Sequence, residues 1–438
     1  MTQQVCTRKT GRKFGLRLSK SVAVVAVAAL ALTGCGGSSA ADGEDGKIQL
    51  RFSWWGSDSR AQATNEIIEA FEAANPDIEV QGEYSDWSGY WDKLATQVAS
   101  NDAPDIIQMD DKYLREYADR GALLDLEGVD VSKFEDVAVQ NGTTDAGLVG
   151  ITTGINSFTL TANPKVLAEA GLEVPDDKTW TWDDYRTITE TVSQKLDGKY
   201  GAEAPNEPAG LQTWLRQDKK NLTSSDGSLG FSPDDLAKYF QHHKDLMDNG
   251  SYPKASVLAE NQNAGPDRSM TGTGVAAFGM WWSNQLGGLS TAVGSDLVPL
   301  RLPSHTGKAE DNGLWHKSSM MMSGYARTEH PEEVKRFVDF MVNSQEAGAL
   351  NQMDRGLPSN TEVREQVVSK LDSIEASSAE FVTSLKPELQ STEPIPPMGF
   401  SAVQDVLYRY EMEVFFERQS VSDAAQNAFK EIETAVAQ

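Results

Sequence analysis

The sequence predicts an α/β fold with a largely parallel sheet flanked by helices. Three observations carry this: short runs alternate apolar and polar residues, longer runs between them space apolar residues helically, and turn or capping residues mark the joints. At about 150 residues per domain, a chain of 438 residues gives two or three domains. In Ile48–Trp54, Ile48, Leu50, Phe52 and Trp54 alternate with polar residues, the period of a strand. Gly56–Ser59 supplies a turn and caps for a helix that carries Ala61, Ile67, Ile68, Phe71 and Ala74 on one face and stops at Asn75-Pro76. A second alternation (Ile78, Val80, Gly82, Tyr84) is followed by a helix with Trp91, Leu94, Ala95 and Val98 on one face. Pro104-Asp105 then introduces a strand at Ile106–Met109, and Asp111–Arg120 forms a helix closed by Gly121.

The alternation continues beyond residue 140. Leu148–Thr153 reads as a strand and Pro164–Ala170 as a short helix with Pro at its first turn. Thr181 and Asp184 form a capping box that opens a helix to about Leu196. Ser232–Asp235 opens another helix, ended by Gly250. Gly274–Met280 reads as a strand, Pro331–Asn343 as a helix, and the chain from Thr361 onward as mostly helical.

Composition narrows the function. The formal net charge is −26; residues 1–34 hold six of the 39 Lys and Arg and none of the 65 acids, so the balance from Cys35 onward is −32. Such a body repels phosphate backbones and anionic lipid surfaces, which excludes nucleic acid as a partner. Two cysteines exclude a disulfide scaffold or a cysteine-rich metal site.

The N-terminus is an address. A basic stretch precedes the apolar run Ser21–Thr33, too short for a spanning helix, which needs about 20 residues. This is the layout of a signal peptide over residues 1–34. Leu32-Thr33-Gly34-Cys35 resembles the lipobox of bacterial lipoproteins, which implies acylation of Cys35. Residues 35–46 then form a flexible tether, and the body is expected outside the cytoplasm, lipid-anchored to the cell membrane.

All ten tryptophans follow Cys35, and Trp54/Trp55, Trp180/Trp182 and Trp281/Trp282 are paired. Flat aromatic faces beside Asp, Asn, Gln and Arg suit sugars, whose C–H faces stack while their hydroxyls hydrogen-bond in both directions. Trp54, Trp91, Trp180 and Trp182 fit core positions. Neighbours in an extended segment face opposite ways, so one member of each remaining pair can face a cleft; for Trp281 and Trp282 the sequence leaves open which. In open α/β sheets ligands sit at the carboxyl ends of strands, where Trp55–Asp58, Asp110-Asp111 and Trp281–Asn284 fall. No metal or cofactor is expected. His242 and His243 are adjacent on a helix and diverge, and Gly272-Thr273-Gly274 lacks the rest of a dinucleotide fingerprint. Carboxylate pairs such as Asp110/Asp111 would serve a glycosidase, so a membrane-tethered glycoside hydrolase is the alternative to a binding protein.

The body resembles the extracellular solute-binding proteins of carbohydrate ABC transporters, the family that includes maltose-binding protein. The likeness rests on the first strand with its Trp54–Asp58 turn, Phe71–Val80, Lys93–Ala99 leading to Ala103–Ile106, and Gly121–Leu126. Lys178–Asp184, Gly274–Asn284 and Asp354–Ser359 extend it over roughly residues 47–405. The resemblance implies the two-lobed periplasmic-binding-protein-like fold of type II, each lobe a mostly parallel sheet flanked by helices, with the ligand at the hinge. The lobes would be residues 47–153 plus 314–358 and residues 154–313 plus 359–438. It implies no catalytic residues; the partners would be a carbohydrate, permease subunits and a cytoplasmic ATPase, and the protein would act as a monomer.

Family contact positions fall on Trp55, Ser57, Asp58 and Arg60 in the first loop, on Asp110 and Asp111, and on Asn156. Trp281, Trp282 and Asn284 match a cleft-lining loop; Trp315, Arg355 and Phe400 also match, and Trp87 and Trp214 complete the candidate set from variable stretches. Met109 stands where the family has an aromatic platform, which leaves the number of sugar subsites open.

Overall fold

The computed structural model describes residues 46–437 except 206, 225, 263 and 390–393. The expected signal peptide, Cys35 and nearly all of the expected tether lie outside the described residues. Twelve strands are present among the described residues: β1 (Ile48–Trp55), β2 (Ile78–Ser85), β3 (Ile106–Met109), β4 (Thr143–Thr144), β5 (Gly147–Leu148), β6 (Ile151–Asn156), β7 (Phe158–Ala162), β8 (Tyr200–Ala202), β9 (Ala276–Trp282), β10 (Val298–Leu300), β11 (Lys317–Gly324) and β12 (Leu357–Pro358). They form a six-stranded sheet in the order β12-β6-β11-β3-β1-β2, a four-stranded sheet in the order β10-β7-β9-β8, and the small pair β4-β5.

The expected α/β class stands, but the sheets are mixed rather than mostly parallel. β1 runs parallel to β2 and β3, whereas β11 runs antiparallel to β3 and β6, and β12 antiparallel to β6. In the smaller sheet only β8 and β9 are parallel. The reason is the chain's path. β6 leaves the large sheet and continues through Ser157 as β7 of the small one, while β11 re-enters after the small sheet is built and so runs against β6.

Most local expectations hold within one or two residues, because their signals are local. Thr181 accepts from the Asp184 backbone and Asp184 answers at Thr181, capping the helix Trp182–Lys195. Ser232 and Asp235 do the same for Pro233–Asp248. The expected strand Leu148–Thr153 is broken: the backbone N–H groups of Val149 and Gly150 both donate to the Gly142 carbonyl, so β5 ends before β6 begins. A side chain at Gly142 would collide with the Gly150 carbonyl, 1.7 Å from its Cβ, so only glycine permits this approach. β9 begins at Ala276 and runs through Trp282, which places both tryptophans on the strand itself.

The large sheet is covered on both faces. Leu50, Phe52 and Trp54 pack with Ile67, Phe71 and Phe337 on one side; Trp55, Ile107 and Met109 pack with Tyr90, Trp91 and Leu114 on the other. The small sheet buries Phe158, Leu160 and Phe278 against Trp180, Trp182 and Tyr185. The four tryptophans expected in the core, Trp54, Trp91, Trp180 and Trp182, are all buried.

Candidate functional site

Two chain segments bring charge to the carboxyl end of β3. Asp110 follows β3 directly and caps the helix Asp111–Asp119, accepting from the Lys112 backbone at 3.1 Å. Lys317 opens β11, the antiparallel neighbour of β3, and so reaches past the end of β3. Its Nζ lies 2.7 Å from Asp111 Oδ1 and 3.3 Å from Asp110 Oδ2. Burial alone would raise both carboxyls; Lys317 and then Lys112 hold Asp110 low, whereas burial and the Asp110 charge outweigh Lys317 at Asp111 and push it up.

The small sheet contributes the aromatic side. Lys317 Nζ sits 5.4 Å from the Trp282 ring, within cation–π range. The Trp282 ring meets Trp315 edge-on at 6.0 Å and Phe158 at 5.1 Å. Arg216 lies against the Trp315 ring at 5.6 Å, its Nε donating to the Gly313 carbonyl. Strand alternation therefore resolves the Trp281/Trp282 pair. Trp281 turns the other way, packs against the Leu286/Leu289/Leu297 group and donates from Nε1 to Thr271 Oγ1 at 3.1 Å.

A run of polar contacts continues from there. Asn156 Nδ2 donates to Asn284 Oδ1 at 2.9 Å, Asn284 Nδ2 donates to the Asp354 carbonyl at 3.1 Å, and Asp354 is paired with Arg60. Asn156 is 3% exposed, and its Oδ1 has no hydrogen-bond partner among the described residues. On the far side, Lys112 Nζ donates to Glu207 at 3.0 Å and to Gln404 at 3.3 Å and lies 5.4 Å from the Trp87 ring. Glu207 and Asp110 raise the Lys112 ammonium against a burial that would lower it.

The structure thus brings together Asp110, Asp111, Asn156, Trp282, Asn284 and Trp315, with Trp87 and Arg60 at either end. Other candidates lie behind the ends of this set or sit elsewhere. Trp55 is buried among Trp87, Tyr90 and Trp91, and Ser57 and Asp58 are exposed at the start of the first helix, where Ser57 is the cap. Arg355 corrects the sequence reading. It is completely buried, and its guanidinium donates to Gln108, Asn351 and Thr64 at 2.9, 2.9 and 2.8 Å, tying β3 to two helices. Trp214 belongs to a separate group with Trp182, His242 and His305, and Phe400 packs among the C-terminal helices. Sequence reasoning missed Lys112, Glu207, Lys317, Asp354 and Gln404. Lys112 adjoins Asp110-Asp111 and was within reach; Glu207 and Gln404 join it only through the fold.

Two sheets linked by strands that pass between them, with polar and aromatic side chains at the seam, define a two-lobed binding-protein fold. The chain belongs to the bacterial extracellular solute-binding protein family, whose profile matches residues 66–376. It is 29% identical over 188 residues to an uncharacterized lipoprotein of the oleD 5′ region of Streptomyces antibioticus, a match covering 41% of this chain and only 40% of that relative. Among solved structures it is similar to an oligogalacturonide-binding protein of Yersinia enterocolitica solved with saturated digalacturonic acid. That similarity has a TM-score of 0.80 and 23% identity, over 89% of this chain and 99% of the other. An ABC substrate-binding protein of Listeria monocytogenes solved with cycloalternan is similar at a TM-score of 0.77 and 19% identity, over 89% and 99%. Among the described residues no helix is long and apolar enough to cross a membrane.

Proposed function

We propose that the protein is an extracytoplasmic sugar receptor, anchored through a lipid on Cys35, that captures a mono- or oligosaccharide between two lobes and delivers it to the permease of an ABC transporter. One observation carries the reading: Trp282 from the small sheet meets Lys317 with Asp110 and Asp111 from the large-sheet side, and Trp315 stands edge-on to Trp282, giving stacking faces beside polar groups. Family membership supports solute binding, and the sugars held by the two similar structures support the class of solute. Closure of the lobes over the sugar would let one ligand touch both sides and shift the protein toward the closed state. The lobes are taken as residues 47–153 plus 314–358 and 154–313 plus 359–438.

A glycosidase needs two carboxyl groups facing each other across the scissile bond, about 5–9.5 Å apart. Asp110 and Asp111 instead share one ammonium, that of Lys317, which supports a receptor that does no chemistry. Thermal-shift assays with mono-, di- and oligosaccharides test the proposal, because a ligand at 100 times its dissociation constant adds about 2.7 kcal/mol. Stabilisation by a sugar recovered intact is the expected result; a sugar returned cleaved, or no response to any, would sink it.

A further inference from the structure

We infer that the sugar taken by this seam carries no negative charge: the ligand is an uncharged polyhydroxyl chain, not a uronate. The inference rests on the receptor reading above and deepens it. An acidic sugar needs a cation to replace the water its carboxylate loses on entering a closed site, since a buried unpaired charge is costly. Three cations at the seam, Lys317, Lys112 and Arg60, are already matched, and Arg216 is turned to the Trp315 ring and the Gly313 carbonyl. Lys317 holds Asp110 and Asp111 together, Lys112 holds Glu207, and Arg60 holds Asp354. Arg355 is spent inside the core on Gln108, Asn351 and Thr64. A ligand carboxylate would therefore face a lysine that already serves one or two carboxylates of the protein.

Hydroxyls meet no such obstacle. A paired carboxylate keeps lone pairs free, and an ammonium has three donors, so both accept hydroxyl partners without changing the charge balance. Asn156 Oδ1 points the same way. It is a buried acceptor without a donor among the described residues, which a hydroxyl satisfies and an ionised carboxylate cannot. The long-range field adds to this, because a body with 65 acids and far fewer bases repels an approaching anion.

The test uses the purified protein and matched pairs, α-1,4-digalactose against digalacturonate and the corresponding trisaccharides, together with neutral gluco-oligosaccharides, read by thermal shift and calorimetry. Stabilisation by neutral sugars alone is expected. A uronate bound as tightly as its neutral counterpart would overturn the inference and leave the receptor reading standing. Silence across the whole panel would remove the carbohydrate reading and this inference with it. Asp111→Asn and Glu207→Gln, which each remove one carboxylate partner, from Lys317 and Lys112 respectively, are expected to move the uronate-to-neutral affinity ratio toward the uronate by about tenfold, the factor one modest charge pair supplies. Variants that fold and leave that ratio unchanged would show that these pairs do not set the preference, which also overturns it.

Discussion

Lys112 Nζ lies 3.0 Å from Glu207 Oε2, and the two residues come from opposite sides of the seam: Lys112 from the helix after β3, Glu207 from the segment after β8. Gln404 takes a second donor of the same ammonium at 3.3 Å. Nearby, Ser401 reaches Glu116 on the Lys112 helix at 3.4 Å. One lysine thus clasps the large-sheet side to two elements of the other.

Breaking that clasp should favour separation of the two sides. Lys112→Met is expected to enlarge the radius of gyration of the sugar-free protein in X-ray scattering and to weaken sugar binding about fivefold to tenfold, or 1–1.4 kcal/mol. In a double-mutant cycle with Glu207→Gln the effects should be less than additive. Unchanged scattering with fully additive effects would mean that the pair holds nothing shut.

Strand alternation gives the two neighbouring tryptophans of β9 different work. Trp282→Ala removes the face beside Lys317 and should cost about tenfold or more in affinity by calorimetry, the range of hot-spot tryptophans. Trp281→Ala removes packing on the far face and should lower the melting temperature with a smaller effect on binding. Equal effects of both substitutions on binding would show that the two rings share one role.

Arg355 is expected to matter for folding. Arg355→Met leaves Gln108, Asn351 and Thr64 without their shared donor, and hydrogen bonds to a charged group contribute about 1.5–3 kcal/mol each. Loss of about 3 kcal/mol or more in denaturant unfolding is expected, only partly restored by Arg355→Lys, whose point charge cannot reproduce the fork. A stable Arg355→Met protein that binds no sugar would instead return the residue to the ligand.

How much of this was legible follows from how far each signal reaches along the chain. The capping boxes at Thr181 and Ser232 and the alternation of β1 are local, and the structure follows them. β11 carries no period because Lys317–Gly324 is buried on both faces, so the central strand that brings Lys317 to the site went unread. Arg355 reads as a ligand contact through its match to the family motif, and Trp214 by residue type alone. The burial of Arg355, and the partners that hold both side chains, arise from contacts with residues distant in sequence.

A buried pair away from the seam sets a pH dependence. His243 Nδ1 lies 3.2 Å from Glu411 Oε1, with Tyr252 at 3.3 Å from the same nitrogen and Tyr239 and His242 alongside. Burial pushes Glu411 up to about 8 and, with the nearby His242, pushes His243 down. The unfolded chain takes up a proton at His243 below pH 6.5, its ordinary value, which costs stability as pH falls. Unfolding releases the proton Glu411 keeps between pH 4.5 and about 8, which costs stability as pH rises. The two oppose each other below 6.5, so the net loss falls between 6.5 and about 8, at up to about 1.4 kcal/mol per pH unit. Glu411→Gln should flatten the melting temperature across that window; an undiminished decline would assign it to other groups.

The proposed membrane anchor is a lipid on Cys35. Cys35→Ser is expected to release the protein from membranes in cell fractionation while leaving sugar binding unchanged. Retention at the membrane with the leader still cleaved would show a different anchor.

Ser157 alone separates β6 of one sheet from β7 of the other, and it is pinned on every side. Its N–H donates to Ser283 Oγ, its carbonyl accepts from the Ser283 backbone, and its hydroxyl donates to the Trp315 carbonyl. A chain that runs straight through such a knot has no slack with which to slide or stretch. If the proposed lobes move against each other, so short a link favours rotation about an axle near this serine over sliding. In such a rotation, small changes of backbone torsion would be multiplied by the length of each sheet, and the widest excursion would fall at the rim of the seam, where Lys112 meets Glu207 and Gln404.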